Sequence, residues 1–377
     1  MSDSLYHYNK GSIMSPNSKW LKDEMDSNYA GLGLFRSLFT ALGQTLTFHD
    51  RTGVITTPIR TKTIPGMELP APGDPGGSYS ELCDRRAIEL LDAAESSGRR
   101  LAVMYSGGVD STMVMISLIK NCDPIKLRRL VMIIMDNNSI AENRLLYENH
   151  ISGRFDCYHS QWFSQVLGDD SYILVTGEGN DQLFGSKVLV DHWDRFGLRP
   201  WEDPVSDQLI IDHFASNLPQ VRAEIIFNLL DSVCQAAPIP IDTMYKWWWW
   251  INLSCKWQNV FMRCASYTSP ENRATLRLKD NYVMFFDTVA LQQWSMANSN
   301  NLIGDSYKQY KQTCKDAIFD FNGDAEYRDY KVKIGSLKQV INKRYHSVTI
   351  NEHGEFSQRF DKVRYIEIDN SFARIQL

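Results

Sequence analysis

The stretch LAVMYSGGVDSTMVMISLIK, residues 101–120, decides the reading of this chain: an apolar run, a turn holding two glycines, then a second apolar run. The first run has strand length and the second helix length, so the glycines mark a strand-to-helix turn. Such a turn gathers backbone N–H groups and a helix N-terminus around one small space, where they donate to phosphate oxygens. Gly107 and Gly108 allow close approach, Ser106 and Ser111 add hydroxyl donors, and Asp110 supplies a carboxylate. A carboxylate repels bare phosphate but suits a phosphate-bound Mg²⁺.

This is not the GxxxxGK[ST] loop, because no lysine follows the glycines and the turn is shorter. Working outward, ELCDRRAIELLDAAESSGRR (81–100) has helical periodicity with Leu82, Ala87, Leu90, Leu91 and Ala94 on one face, so a domain core begins near residue 78. Apolar runs at 101–105, 130–135 and 172–176 read as strands buried on both faces, alternating with helices. The fold class expected is α/β, a parallel sheet flanked by helices, with helical additions.

A second polar turn, TGEGNDQLFGS (176–186), closes the strand at 172–176, about 70 residues after the first turn. Two acids at neighbouring strand ends, Asp110 and Asp181, could share one hydrated Mg²⁺.

SGGVDS resembles the PP-loop, SGGxDS, of the N-type ATP pyrophosphatases, enzymes that split ATP between the α- and β-phosphates. TGEGNDQLFGS resembles the GEGxDExFGG segment of the synthetase domain of asparagine synthetases, matching at Gly177, Glu178, Gly179, Asp181, Phe184 and Gly185; Gln182 and Ser186 depart from it. The resemblance covers about residues 80–340 and implies an adenine nucleotide alpha hydrolase-like fold. It implies that Asp110 and Asp181 hold Mg²⁺ on the pyrophosphate and that Glu178 acts on the attacking amine. LVMIIMDNNSIAENRLL (130–146) resembles the family's second strand, which receives adenine, and places the base near Met104, Ile134 and Gly177. NYVMFFDTVALQQW (281–294) resembles the PFLD segment. DYKVKIGSL (329–337) resembles the late lysine segment, with Lys333 as the phosphate lysine and Lys331 as the second choice.

The implied activity is that of an ATP-dependent carbon–nitrogen ligase, which activates a carboxylate as an acyl-adenylate, releases pyrophosphate, and passes the acyl group to ammonia or an amine. Ser106, Gly107, Gly108 and Ser111 would bind the pyrophosphate. The departures bear on the substrates. Ser2 stands where glutamine-hydrolysing relatives carry a cysteine, and residues 1–77 are too short for a glutaminase domain. Nitrogen is therefore expected from ammonia, an amine or a separate amidotransferase. CASYTSPENRATLRLKDNY (264–282) lacks the family's Glu-x-Arg pattern near the amino-acid substrate, which puts aspartate in doubt. Two alternatives stay open: a PP-loop enzyme that modifies a nucleic-acid base, and a non-catalytic adenine-nucleotide-binding module.

Composition narrows the setting. The chain has 377 residues, 43% of them hydrophobic and 23% charged, with a net charge of -5, which disfavours a general grip on nucleic acid without excluding a basic patch. The densest basic cluster, KLRR at 126–129, reads as a solvated helix end. No apolar run approaches the roughly 18 residues that span a bilayer. The seven cysteines show no CxxC or zinc spacing, and no secretory signal opens the chain, so a cytoplasmic protein with reduced thiols is expected. The expected organisation is an N-terminal segment and linker over 1–77, ending in the Pro/Gly-rich TIPGMELPAPGDPGG, a PP-loop domain over 78–340, and an extension over 341–377 with strand-like alternation. WWWW at 247–250 is expected to pack a helix against the sheet domain, with a substrate-stacking wall as the alternative.

Overall fold

Runs rich in Val, Ile, Leu and Met form a five-stranded sheet: β1 Arg100–Met104, β2 Val131–Met135, β3 Asp156–His159, β4 Tyr172–Thr176 and β5 Tyr282–Met284. The computed structural model describes residues 5–8, 38, 41–42, 49–55, 63–64, 66–167, 169–185, 197, 199, 201–265, 281–303, 309–331 and 347–350. All four strand pairings are parallel, and the order across the sheet is β3-β2-β1-β4-β5. β2 is buried at every position and β1 and β4 nearly so, as strands covered on both faces must be.

Helices cover this sheet: α1 Tyr79–Ser97, α2 Val109–Lys120, α3 Pro124–Leu130, α4 Asn137–Glu142, α5 Asn180–Leu183, α6 Val289–Ala297, α7 Gln312–Asn322 and α8 Ala325–Tyr330. Their ends are written locally. Ser78 and Glu81 form a capping box at the start of α1, and Gly98 closes that helix at φ 67°. Asp123 caps α3, with Pro124 at its first turn. The KLRR cluster lies in α3, where Lys126 and Arg129 both reach Glu95.

In this order the chain leaves β1 to one side for β2 and returns to the other side for β4. The carboxyl ends of β1 and β4 therefore flank the point where the winding reverses, the place where open parallel sheets form a crevice. Both polar turns of the sequence lie there.

The chain divides into two compact units, residues 72–184 with 267–343, which carry the sheet, and residues 1–71 with 185–266 and 344–377. The 78–340 span is thus shared between them. In the second unit Leu5–Tyr8 pairs antiparallel with Ser347–Ile350. Its helices Asp207–Ala215, Gln220–Gln235 and Met244–Ala265 enclose an aromatic core. Trp247, Trp248, Trp249 and Trp250 are all buried, because four successive helical positions face every side and an all-round apolar helix must be surrounded. Trp247 stacks on Phe227, and Trp250 Nε1 donates to the Val233 carbonyl at 2.8 Å. These tryptophans pack the helices of their own unit together.

Among the described residues no helix is long and apolar enough to cross a membrane. Cys83, Cys122, Cys157, Cys234, Cys255 and Cys314 are free thiols.

Candidate active site at the sheet switch point

The first turn is held open by its glycines and shut by its serines. Gly107 has φ 73°, and a Cβ there would meet the Ser139 carbonyl oxygen at 2.4 Å and Glu142 Cβ at 2.9 Å, so both backbone angle and space demand glycine. Ser106 N–H donates to Ser111 Oγ at 3.0 Å, the two hydroxyls are 2.9 Å apart, and Gly108 N–H donates to Ser106 Oγ at 3.2 Å. Tyr327 Oη, from α8, donates to the Gly107 carbonyl at 2.8 Å. Gly108 is the N-cap of α2, with no side-chain capping bond. The positive end of a 12-residue helix therefore opens onto the turn with no side chain of its own to cap it.

The second turn is pressed onto the first. A Cβ at Gly177 would lie 3.0 Å from the Asp110 carbonyl carbon and the Ser111 nitrogen, so glycine lets the β4 turn lie on the start of α2 without crowding. Gly179, at φ 93°, then starts α5, which carries Asn180 and Asp181 toward Asp110. Glu178 is half-buried in this turn, one residue before Gly179, the N-cap of α5.

Asp110 is gripped from two sides. Asn180 Nδ2 and Lys311 Nζ each donate to its Oδ1 at 2.6 Å. The same Lys311 ammonium is 2.5 Å from Asp181 Oδ1, which also accepts from Tyr310 Oη at 3.1 Å. Behind them Tyr79 Oη donates to Asn180 Oδ1 at 2.7 Å, which orients the amide so that its Nδ2 faces the carboxylate. Burial holds the Tyr79 phenol well above its ordinary range, so it remains a donor. Burial pushes the Asp110 carboxyl up against the opposing pull of the Lys311 ammonium, and Asp181 adds to the push. Lys311 loses from burial and gains more from Asp110 and Asp181, so its ammonium is held above the ordinary lysine range. Two carboxylates thus share one cation position and retain an excess of negative charge.

Beside the first turn, Glu142 and Lys331 form an ion pair at 2.6 Å, with Glu142 against Gly107. Asp136, the acid that precedes α4, caps that helix through Ser139.

Ser106, Gly107, Gly108, Asp110, Ser111, Gly177, Glu178 and Asp181 therefore fall on two adjoining turns. Met104 ends β1 with part of its surface open. Ile134 does not share that exposure: it is fully buried inside β2, and its carbonyl accepts the Tyr105 N–H at 2.9 Å. Lys333 lies outside the described residues, as does Ser186. Tyr79, Asn180, Glu142, Tyr327 and Lys311 were not singled out from sequence. Asn180 stands inside the GEGND stretch and was within reach; Lys311, 201 residues from Asp110, carries no local signal.

Scans against family models, curated proteins and solved structures each give no match to this chain.

Proposed function

We propose that the chain is an ATP-dependent carbon–nitrogen ligase of the asparagine synthetase-like, PP-loop kind, forming AMP and pyrophosphate. One observation carries the reading: at the switch point of the sheet, two turns bring Asp110 and Asp181 onto a single cation position beside the uncapped N-terminus of α2.

Two carboxylates completed by phosphate oxygens and water are a usual donor set for Mg²⁺. Asp110 and Asp181 would hold it, and the ion would neutralise charge on the departing pyrophosphate. The Ser106 and Ser111 hydroxyls, now bonded to each other, would turn onto the phosphate oxygens with the Gly107 and Gly108 amides. Met104 and Gly177, which keep open surface, are the better contacts for adenine, and Ile134 supports them from within the sheet.

A substrate carboxylate attacks the α-phosphorus, and pyrophosphate leaves as the acyl-adenylate forms. Ammonia or an amine then attacks the acyl carbon, the nitrogen gives up a proton to Glu178, and AMP departs. The phosphate lysine of the proposed family would be Lys333; Lys331, two residues before it, is committed to Glu142. Screening carboxylates for ATP–pyrophosphate exchange, with ammonia and amines added in a second stage, tests this reading. Exchange dependent on one class of carboxylate supports it; nucleotide binding with no exchange across the screen contradicts it.

A further inference from the structure

Lys311 is the one non-glycine residue among the described residues with positive φ, at φ 57° and ψ 32°. Backbone strain of this kind persists where the surrounding structure holds it, and it gathers at functional sites. Here the strained residue starts α7, which packs along α2, and its side chain is 6% exposed with Nζ between Asp110 Oδ1 and Asp181 Oδ1. Of the two carboxylates, Asp110 is part-buried and Asp181 is open, at 63% side-chain exposure. The cation position is therefore reachable from the Asp181 side while the ammonium itself is enclosed.

We propose that Lys311 is a stand-in cation: it fills the metal position between Asp110 and Asp181 until the metal–nucleotide complex arrives, then moves onto the phosphates of the nucleotide. The inference rests on the nucleotide reading of this site. A divalent ion on these carboxylates would lie within a few ångströms of the ammonium, in a part-buried place where repulsion is weakly screened, so the two cations exclude each other. The triphosphate supplies what the exchange needs. It brings the metal further oxygen ligands, and it offers the displaced ammonium new acceptors at the N-terminus of α2, in whose first turn Asp110 lies. The device keeps the two acids from repelling each other in the free protein and delays metal binding until substrate is present.

The test is Mn²⁺ binding by calorimetry, without nucleotide and with the non-hydrolysable α,β-methylene-ATP, on wild type, Lys311→Met, Lys311→Arg and Lys120→Met. Lys120 pairs with Asp84 at the far end of α2 and controls for the loss of a paired lysine away from the two carboxylates. Wild type should bind Mn²⁺ tightly only with the nucleotide. Lys311→Met should bind free Mn²⁺ at least tenfold more tightly than wild type while losing affinity for the nucleotide, Lys311→Arg should restore exclusion, and Lys120→Met should match wild type. Should Lys311→Met fail to fold, wild type still decides: micromolar Mn²⁺ binding with no nucleotide overturns the inference. Unchanged free-metal affinity in a folded Lys311→Met overturns it as well. Absence of Mn²⁺ and nucleotide binding in every protein tells against the nucleotide reading itself.

Discussion

Gly177 and Asp110 are in contact across two strand ends: a Cβ on Gly177 would stand 3.1 Å from Asp110 Cβ and 3.0 Å from its carbonyl carbon. The position of the carboxylate at the first turn is thus set partly by the absence of a side chain on the other turn. Gly177 lacks positive φ, so alanine there is a matter of space alone. Gly177→Ala should cost about 1–2 kcal/mol of stability, the scale of mild overpacking. It should also lower exchange, by about tenfold, because the acid must give way by a few tenths of an ångström. Denaturant unfolding beside exchange rates checks this, and a variant with full exchange would remove the contact from the site's design.

Gly107 is under a double constraint, a positive φ and a carbonyl oxygen 2.4 Å from any added Cβ. Gly107→Ala should lose about 3 kcal/mol or more, since strained backbone and overpacking act together. Alanine at Gly98, also at positive φ but with open space around it, should be milder. Equal losses in urea unfolding would mean that φ alone matters.

In the proposed reaction Glu178 serves only the second half, the attack of the amine. Glu178→Gln keeps the size and shape of the side chain, so thermal stability should fall by no more than about 1 kcal/mol. Pyrophosphate exchange should persist while amide formation slows by about a hundredfold or more, the usual scale of general acid–base catalysis. Equal loss of both half-reactions would refute its assignment to the amine.

His49, in the second unit, sets an acid limit on stability. Burial lowers its imidazole to about pKa 4, with the nearby Arg51 guanidinium acting the same way and Asp50 opposing, while Nε2 bonds Thr63 Oγ1 at 2.8 Å. Between that value and the ordinary 6.5 the unfolded chain binds the extra proton, so stability is intact above about pH 6.5 and falls as the pH drops toward 4. The loss amounts to about 3 kcal/mol at most from this group. His49→Gln should flatten the melting-temperature profile across that window; an unchanged slope would assign the acid sensitivity elsewhere.

The sheet was readable where strands are apolar runs and turns are glycines. β1, β2 and β4 fall within one residue of the runs that predict them, and α1 buries the face expected. β3, DCYH, escaped because it is an edge strand with alternate positions exposed and no apolar run to announce it. The two turns of the candidate site were legible in the sequence. The place of Lys311 between Asp110 and Asp181 was not, since it comes from the packing of α7 on α2, and a lysine before a helix looks like any solvated cation. Trp247 to Trp250 announced burial, and only their contacts with Phe214, Phe227 and His213 show that their own unit buries them.

The central claim is that two turns at the switch point bind ATP through Asp110 and Asp181 for cleavage between the α- and β-phosphates. The most direct test follows ATP by ³¹P NMR with Mg²⁺ and the carboxylate selected by the screen, for wild type and Asp110→Asn. AMP and pyrophosphate should form in equal amounts, only with Mg²⁺, and the variant should lose the reaction while remaining folded. ADP and phosphate as products, or an Asp110→Asn protein as active as wild type, would contradict the account.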